Sequence, residues 1–102
     1  MNNATVATTI LEQLGGHRFL AMTGARNLTS GPDRLYFGLP RNPGKVTHVG
    51  IVLEPSDTYT LTFWRMTFRG SSAPLILREE KDIYAEDLQA RFTESTGLYT
   101  RL

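Results

Sequence analysis

Residues 57–70 read DTYTLTFWRMTFRG, and the alternation of apolar and polar side chains along this run changes phase halfway. Tyr59, Leu61 and Phe63 fall on one face of an extended strand, with Thr58, Thr60 and Thr62 on the other. From Trp64 onward the pattern inverts: Trp64, Met66 and Phe68 take the threonine face, and Arg65, Thr67 and Arg69 oppose them. Strand side chains repeat with a period of two, so the inversion requires a bulge, a break, or a sheet apolar on both sides. With a bulge, all six apolar residues belong to the core. Without one, the only tryptophan of the chain lies beside Met66 and Phe68 on the face turned away from the core, as a binding patch.

Outward from this strand the flanking segments read as sheet. VTHVGIVLE (46–54) places Val49, Ile51 and Leu53 on one face, and RLYFGLP (34–40) does the same with Leu35, Phe37 and Leu39 before Pro40 stops it. RNPGK (41–45) and Pro55-Ser56 read as the connecting turns. Gly70-Ser71-Ser72 ends the aromatic strand, PLILREE (74–80) reads as a last strand and HRFLAMT (17–23) as a first. GARNLTSGPD (24–33), rich in turn formers, reads as a loop.

Two segments carry helical spacing. Val6, Ile10 and Leu14, with Ala7 and Leu11 alongside, give a helix over 4–14 that Gly15-Gly16 ends. From Ile83 the stripe Tyr84, Leu88, Phe92 gives a second, with Asp82 as N-cap and Gly97 as the stop. The expectation is one α+β domain over residues 1–102, ordered α-β-β-β-β-β-α. Short connections favour an antiparallel sheet of five strands, with both helices on one face.

Composition narrows the function classes. The chain of 102 residues has no cysteine, which excludes disulfides, zinc-thiolate sites and cysteine nucleophiles and fits a reducing, cytoplasmic setting. No apolar run approaches the roughly 18 residues of a membrane span. The net charge of +1 divides into +3 over residues 1–69 and −2 over 70–102, a polarised surface of the kind that steers a charged partner.

No catalytic motif is present, and neither a metal nor a cofactor is expected. His17 and His48 stand in no metal-ligand spacing, and His48 shares a strand face with Gly50 and Val52, away from the core. MTGARN (22–27) lacks both phosphate-loop patterns and reads as a turn that leaves Arg26 free for a partner. Asp57 followed by Glu79-Glu80-Lys81 resembles the signature of the PD-(D/E)xK nucleases, in which two carboxylates hold a divalent cation, although Ser56 interrupts the Pro-Asp pair. Basic and aromatic residues interleave more broadly. Arg34 accompanies Tyr36, Arg65 and Arg69 bracket Trp64 and Phe68, and Arg26, Arg41 and Lys45 lie on adjoining loops. Small β folds bind single-stranded nucleic acid with such faces, stacking bases on aromatics and neutralising phosphates. The alternative is that the aromatics serve the core or an interface with a second copy, paired through a two-fold axis.

FLAMTGARN (19–27), LPRN (39–42), DTYTLTF (57–63) and YAEDLQARFTESTGLYTRL (84–102) together resemble a group of small proteins of about this length found in phages, plasmids and integrative elements, from Ile10 onward. The resemblance implies an accessory protein of a mobile genetic element, working in bacterial cytoplasm by stoichiometric binding to nucleic acid or to a host defence complex such as a CRISPR effector. It carries over no functional residue. The expected function is therefore non-enzymatic nucleic-acid binding, single-stranded, through the aromatic and basic sheet face. An anti-CRISPR-like protein inhibitor, using that patch or the acidic C-terminal helix, and a metal-dependent nuclease stand as alternatives.

Overall fold

A computed structural model describes residues 4–66 and 74–100, so Phe68 and Arg69 of the expected site lie outside the described residues. The elements are α1 (Ala4–Leu14), α2 (His17–Thr23), β1 (Arg26–Ser30), β2 (Arg34–Gly38), β3 (His48–Leu53), β4 (Tyr59–Arg65), β5 (Leu75–Ile83), a single 3₁₀ turn (Ala85–Asp87) and α3 (Leu88–Thr96). The five strands form one antiparallel sheet in the order β1-β2-β3-β4-β5, an α+β fold.

The first strand is not where its sequence places it. HRFLAMT is the helix α2, with Phe19 and Thr23 buried one turn apart and the Thr23 hydroxyl donating to the Phe19 carbonyl at 2.7 Å. Seven residues are too few for a period of two to be told from one of 3.6. Gly15 and Gly16, at φ 128° and 59°, turn the chain between the helices, and Gly24 at φ 74° closes the second. β1 instead lies within the segment read as a loop. All five of its residues are exposed, because it is an edge strand with nothing to bury, so no alternation advertises it. Asn27, at φ 57°, supplies the extra residue of a bulge between Arg26 and Thr29.

The phase change resolves without a bulge in β4. Its pairing with β3 runs unbroken from Leu53↔Tyr59 to His48↔Trp64. The irregularity lies in the opposite strand: Phe63 pairs with Arg78 but Trp64 with Ile76, so Leu77 of β5 is the extra residue. A second bulge, between the pairs Tyr59↔Ile83 and Leu61↔Glu80, contains Asp82 at φ 57°. Asp82 is thus a strand residue and not a helix cap. Asp87 precedes α3, and Tyr84 is exposed outside the helical stripe.

The inner face of the sheet supplies Leu35, Phe37, Val49, Ile51, Tyr59, Leu61 and Phe63 to the core, joined by Ala7, Ile10 and Leu14 of α1, Phe19 of α2 and Leu88 and Phe92 of α3. Phe19 meets Phe37 and Phe92 edge-on at centroid separations of 5.4 and 5.2 Å. Burying each such ring stabilises the fold by roughly 1.5–3 kcal/mol. The Tyr59 hydroxyl, at the rim of this core, donates to Gln13 Oε1 at 2.7 Å and ties β4 to α1. Among the described residues no helix is long and apolar enough to cross a membrane.

Candidate functional site

Because β4 runs without a bulge, its even-numbered residues stay on the outer face, opposite the core. One row of paired residues crosses the whole sheet there: Arg26, Gly38, His48, Trp64 and Ile76. The next carries Thr29, Tyr36, Gly50, Thr62 and Glu79, and a third Arg34, Val52 and Thr60. Tyr36 and Trp64 come together across β3, their ring centroids 6.0 Å apart and their planes tilted by 49°. Both remain partly exposed.

Gly50 makes this pair. A Cβ on Gly50 would lie 2.5 Å from the Tyr36 ring and 2.7 Å from Trp64, so both rings rest on bare backbone in the middle of the sheet. A glycine inside a strand signals such a close approach, and the sequence contained that signal. Arg34 flanks the pair, with its guanidinium 6.0 Å from the Tyr36 ring centroid and donating to the Tyr36 hydroxyl at 3.0 Å. Its charge is already engaged: Nε lies 2.7 Å from Asp33 Oδ1. That hydrogen bond holds the Asp33 carboxyl below its ordinary value and raises the Arg34 guanidinium above its own. Arg34 is therefore a support for Tyr36 more than a free cation.

Arg26 shares that face at the edge of the sheet, but Arg41, Lys45 and Arg65 do not. Arg65 follows Trp64 and points to the other side of the sheet, past the end of the core. There it lines a cleft of about 630 Å³ together with Arg41, Lys45, Thr47, Pro40 and Pro43. No carboxylate lines this cleft, and among the described residues none lies within ion-pair distance of Arg41, Lys45 or Arg65. Thr47 joins the two surfaces, its N–H donating to the Trp64 carbonyl at 2.8 Å and its hydroxyl accepting from the Met66 N–H at 2.7 Å.

The loop that carries Arg41 and Lys45 is held from within. The Asn42 side chain is buried; it donates to the Pro40 and Val46 carbonyls at 2.8 and 2.6 Å and accepts from the Val46 N–H at 3.0 Å. The Gly44 N–H caps the Thr96 carbonyl at the end of α3, and a Cβ at Gly44 would collide with the Ser95 carbonyl. Lys45 sits at φ 60°, a left-handed conformation uncommon for its type. The nine expected site residues thus divide: Arg26, Arg34, Tyr36 and Trp64 on the outer face, Arg41, Lys45 and Arg65 at the cleft, and Phe68 and Arg69 outside the described residues. Gly50, Asn42 and Thr47, which organise both sets, were not among them.

The opposite end of the sheet is acidic. Glu54, Glu79 and Asp82 line a second cleft of about 590 Å³ with Lys81 and Thr60. Thr60 donates to Glu54 at 2.8 Å. Asp57, the first carboxylate of the nuclease-like pattern, does not line this cleft. It occupies the β3–β4 turn at φ 68°, its N–H donating to the Glu54 carbonyl at 2.9 Å. Among the described residues no three His, Asp or Glu side chains are grouped to hold a metal ion. No protein-family model matches this chain, and no curated protein or solved structure matches it either, so its function has to be read from these two ends of the sheet and the aromatic pair between them.

Proposed function

We propose that this chain is a non-enzymatic binding protein that holds single-stranded nucleic acid at the basic end of its sheet, in the cytoplasm, as the mobile-element resemblance implies. One observation carries the reading. Two partly exposed aromatic rings lie side by side on the outer face, and Arg41, Lys45 and Arg65 line a cleft at the adjoining end that no carboxylate of the described residues lines. Aromatic rings offer a stacking surface to any base, worth about 1–3 kcal/mol per base, while unpaired cations attract the phosphates. Duplex is disfavoured because its bases are already stacked on each other.

Titrating the Trp64 emission with a short single-stranded oligonucleotide at low and moderate salt tests this. Quenching that weakens steeply as salt rises is expected. Emission indifferent to the oligonucleotide at low salt would remove the proposal. A second reading, a stoichiometric protein inhibitor, is favoured by a different feature: Leu75, Ile76 and Leu77 are exposed on the edge strand β5, 54%, 57% and 39% accessible. An apolar strand edge offers pairing to another protein. Co-purification of a host complex that a Leu75→Lys/Leu77→Lys variant loses would move the weight to that reading.

A further inference from the structure

The basic cleft lies behind the aromatic face, not on it, and its lining differs in kind. Three cationic side chains, Arg41, Lys45 and Arg65, surround a floor that includes Leu39, Pro40 and Pro43. Its volume of about 630 Å³ falls within the range of small-molecule sites, about 300–1,000 Å³. The walls are built before any ligand arrives: Asn42 saturates the loop backbone, the Gly44 N–H anchors it to Thr96, and Pro43 packs so closely on Gly97 that a Cβ there would lie 2.8 Å away. Lys45 is held at positive φ by this framework, its N–H donating to the Asn42 carbonyl at 3.0 Å. The three cationic side chains are exposed, but the backbone that carries Arg41 and Lys45 is set in advance, which lowers the ordering cost of closing them on an anion.

We infer that this cleft receives the terminal phosphate of a nucleic-acid strand, with the end nucleotide resting on the proline floor; the inference rests on the single-strand reading given above. Charge selects the end of the strand over its interior. A phosphate monoester carries close to two negative charges at neutral pH, whereas each internal diester carries one, and three unneutralised cations suit the former. Position agrees. Trp64 and Arg65 are consecutive and project from opposite sides of β4, so a strand stacked on Trp64 reaches the cleft only by passing over the end of the sheet, where Thr47 forms the rim. A strand that ends there needs no exit path.

The test compares one oligonucleotide in three forms, 5′-phosphorylated, 3′-phosphorylated and unphosphorylated, by Trp64 quenching with the full-length protein. One of the two phosphorylated forms is expected to bind about tenfold more tightly than the unphosphorylated strand, the scale of one added charge-assisted hydrogen bond. The variant Arg41→Gln/Lys45→Asn/Arg65→Gln should bind all three forms with one common affinity, weaker than that of the unaltered protein for the unphosphorylated strand; asparagine at position 45 tolerates the positive φ. Equal affinity for all three forms, with strand binding intact, would overturn the inference and leave the single-strand reading standing. If no strand binds at all, that reading fails. A nucleoside monophosphate against its nucleoside, followed by amide shifts of residues 39–47, then decides the cleft: shifts specific to the monophosphate support it as a phosphate site, and their absence overturns it.

Discussion

The two ends of the sheet carry clefts of nearly equal size, about 630 and 590 Å³, and opposite charge. At one end Arg41, Lys45 and Arg65 stand, among the described residues, without carboxylates. At the other Glu54, Glu79 and Asp82 surround a single Lys81, and nearby Arg34 is spent on Asp33. Since size does not distinguish the clefts, charge must decide what each attracts. The net charge of +1 conceals this, because the separation is along the strands and cancels in the sum. The aromatic pair on Gly50 lies between the ends, so whichever charge field recruits a partner presents it to the same two rings.

The largest effect is expected from neutralising the basic end. Arg41→Gln/Lys45→Asn/Arg65→Gln should lower single-strand affinity on the order of 100-fold at low salt and reduce the logarithmic salt slope by about 2. Glu54→Gln/Glu79→Gln at the acidic end should leave affinity unchanged or raise it. Equal losses from the two variants, measured by oligonucleotide titration, would break the comparison.

Next comes the surface between the ends. Gly50→Ala places a methyl group against both rings and should cost about 1–3 kcal/mol of stability through overpacking. It should also shift the Trp64 emission and weaken binding several-fold, while the salt slope stays as it was. A change of slope without a change of emission would mean the rings are not the contact.

Two smaller effects concern stability alone. Burial pushes the Tyr59 hydroxyl above its ordinary 10.0, with the hydrogen bond to Gln13 opposing it in part. A group raised on folding contributes stability that is complete below its unfolded value, here near 10, and is lost as pH rises through the folded one. Tyr59→Phe should therefore flatten the alkaline limb of a pH–stability profile, cost about 0.5–1.5 kcal/mol at neutral pH and leave binding intact. The smallest effect belongs to Asp33→Asn. The Arg34 hydrogen bond lowers the Asp33 carboxyl from 3.8, so its contribution is present above that value and fades as pH falls through the depressed one. The pair is exposed, and thermal unfolding at neutral pH should not move measurably.

The same contrast explains what could be read from the residues. β2, β3 and β4 announce themselves because one face is buried and the other is not, which writes the period of two into the chain. β1 and β5, on the edges, bury little; β1 was invisible, and β5 extends past the expected 74–80 to Ile83 through a bulge that alternation cannot anticipate. The Trp64 face was legible as one of two outcomes, and the unbroken β3–β4 register selects the exposed one. The division of the basic residues between that face and the cleft was not. The period of two already sets Arg65 opposite Trp64, but no alternation places it beside Arg41 and Lys45 of the β2–β3 loop.

Amide chemical shifts of the isotopically labelled protein, followed while a short single-stranded oligonucleotide is added at low salt, address the central claim most directly. Changes are expected at Arg26, residues 39–50 and residues 64–66, with residues 54–60 and 79–83 unmoved. Changes centred on Glu54, Glu79 and Asp82, or confined to β5, would contradict a nucleic-acid surface at the basic end.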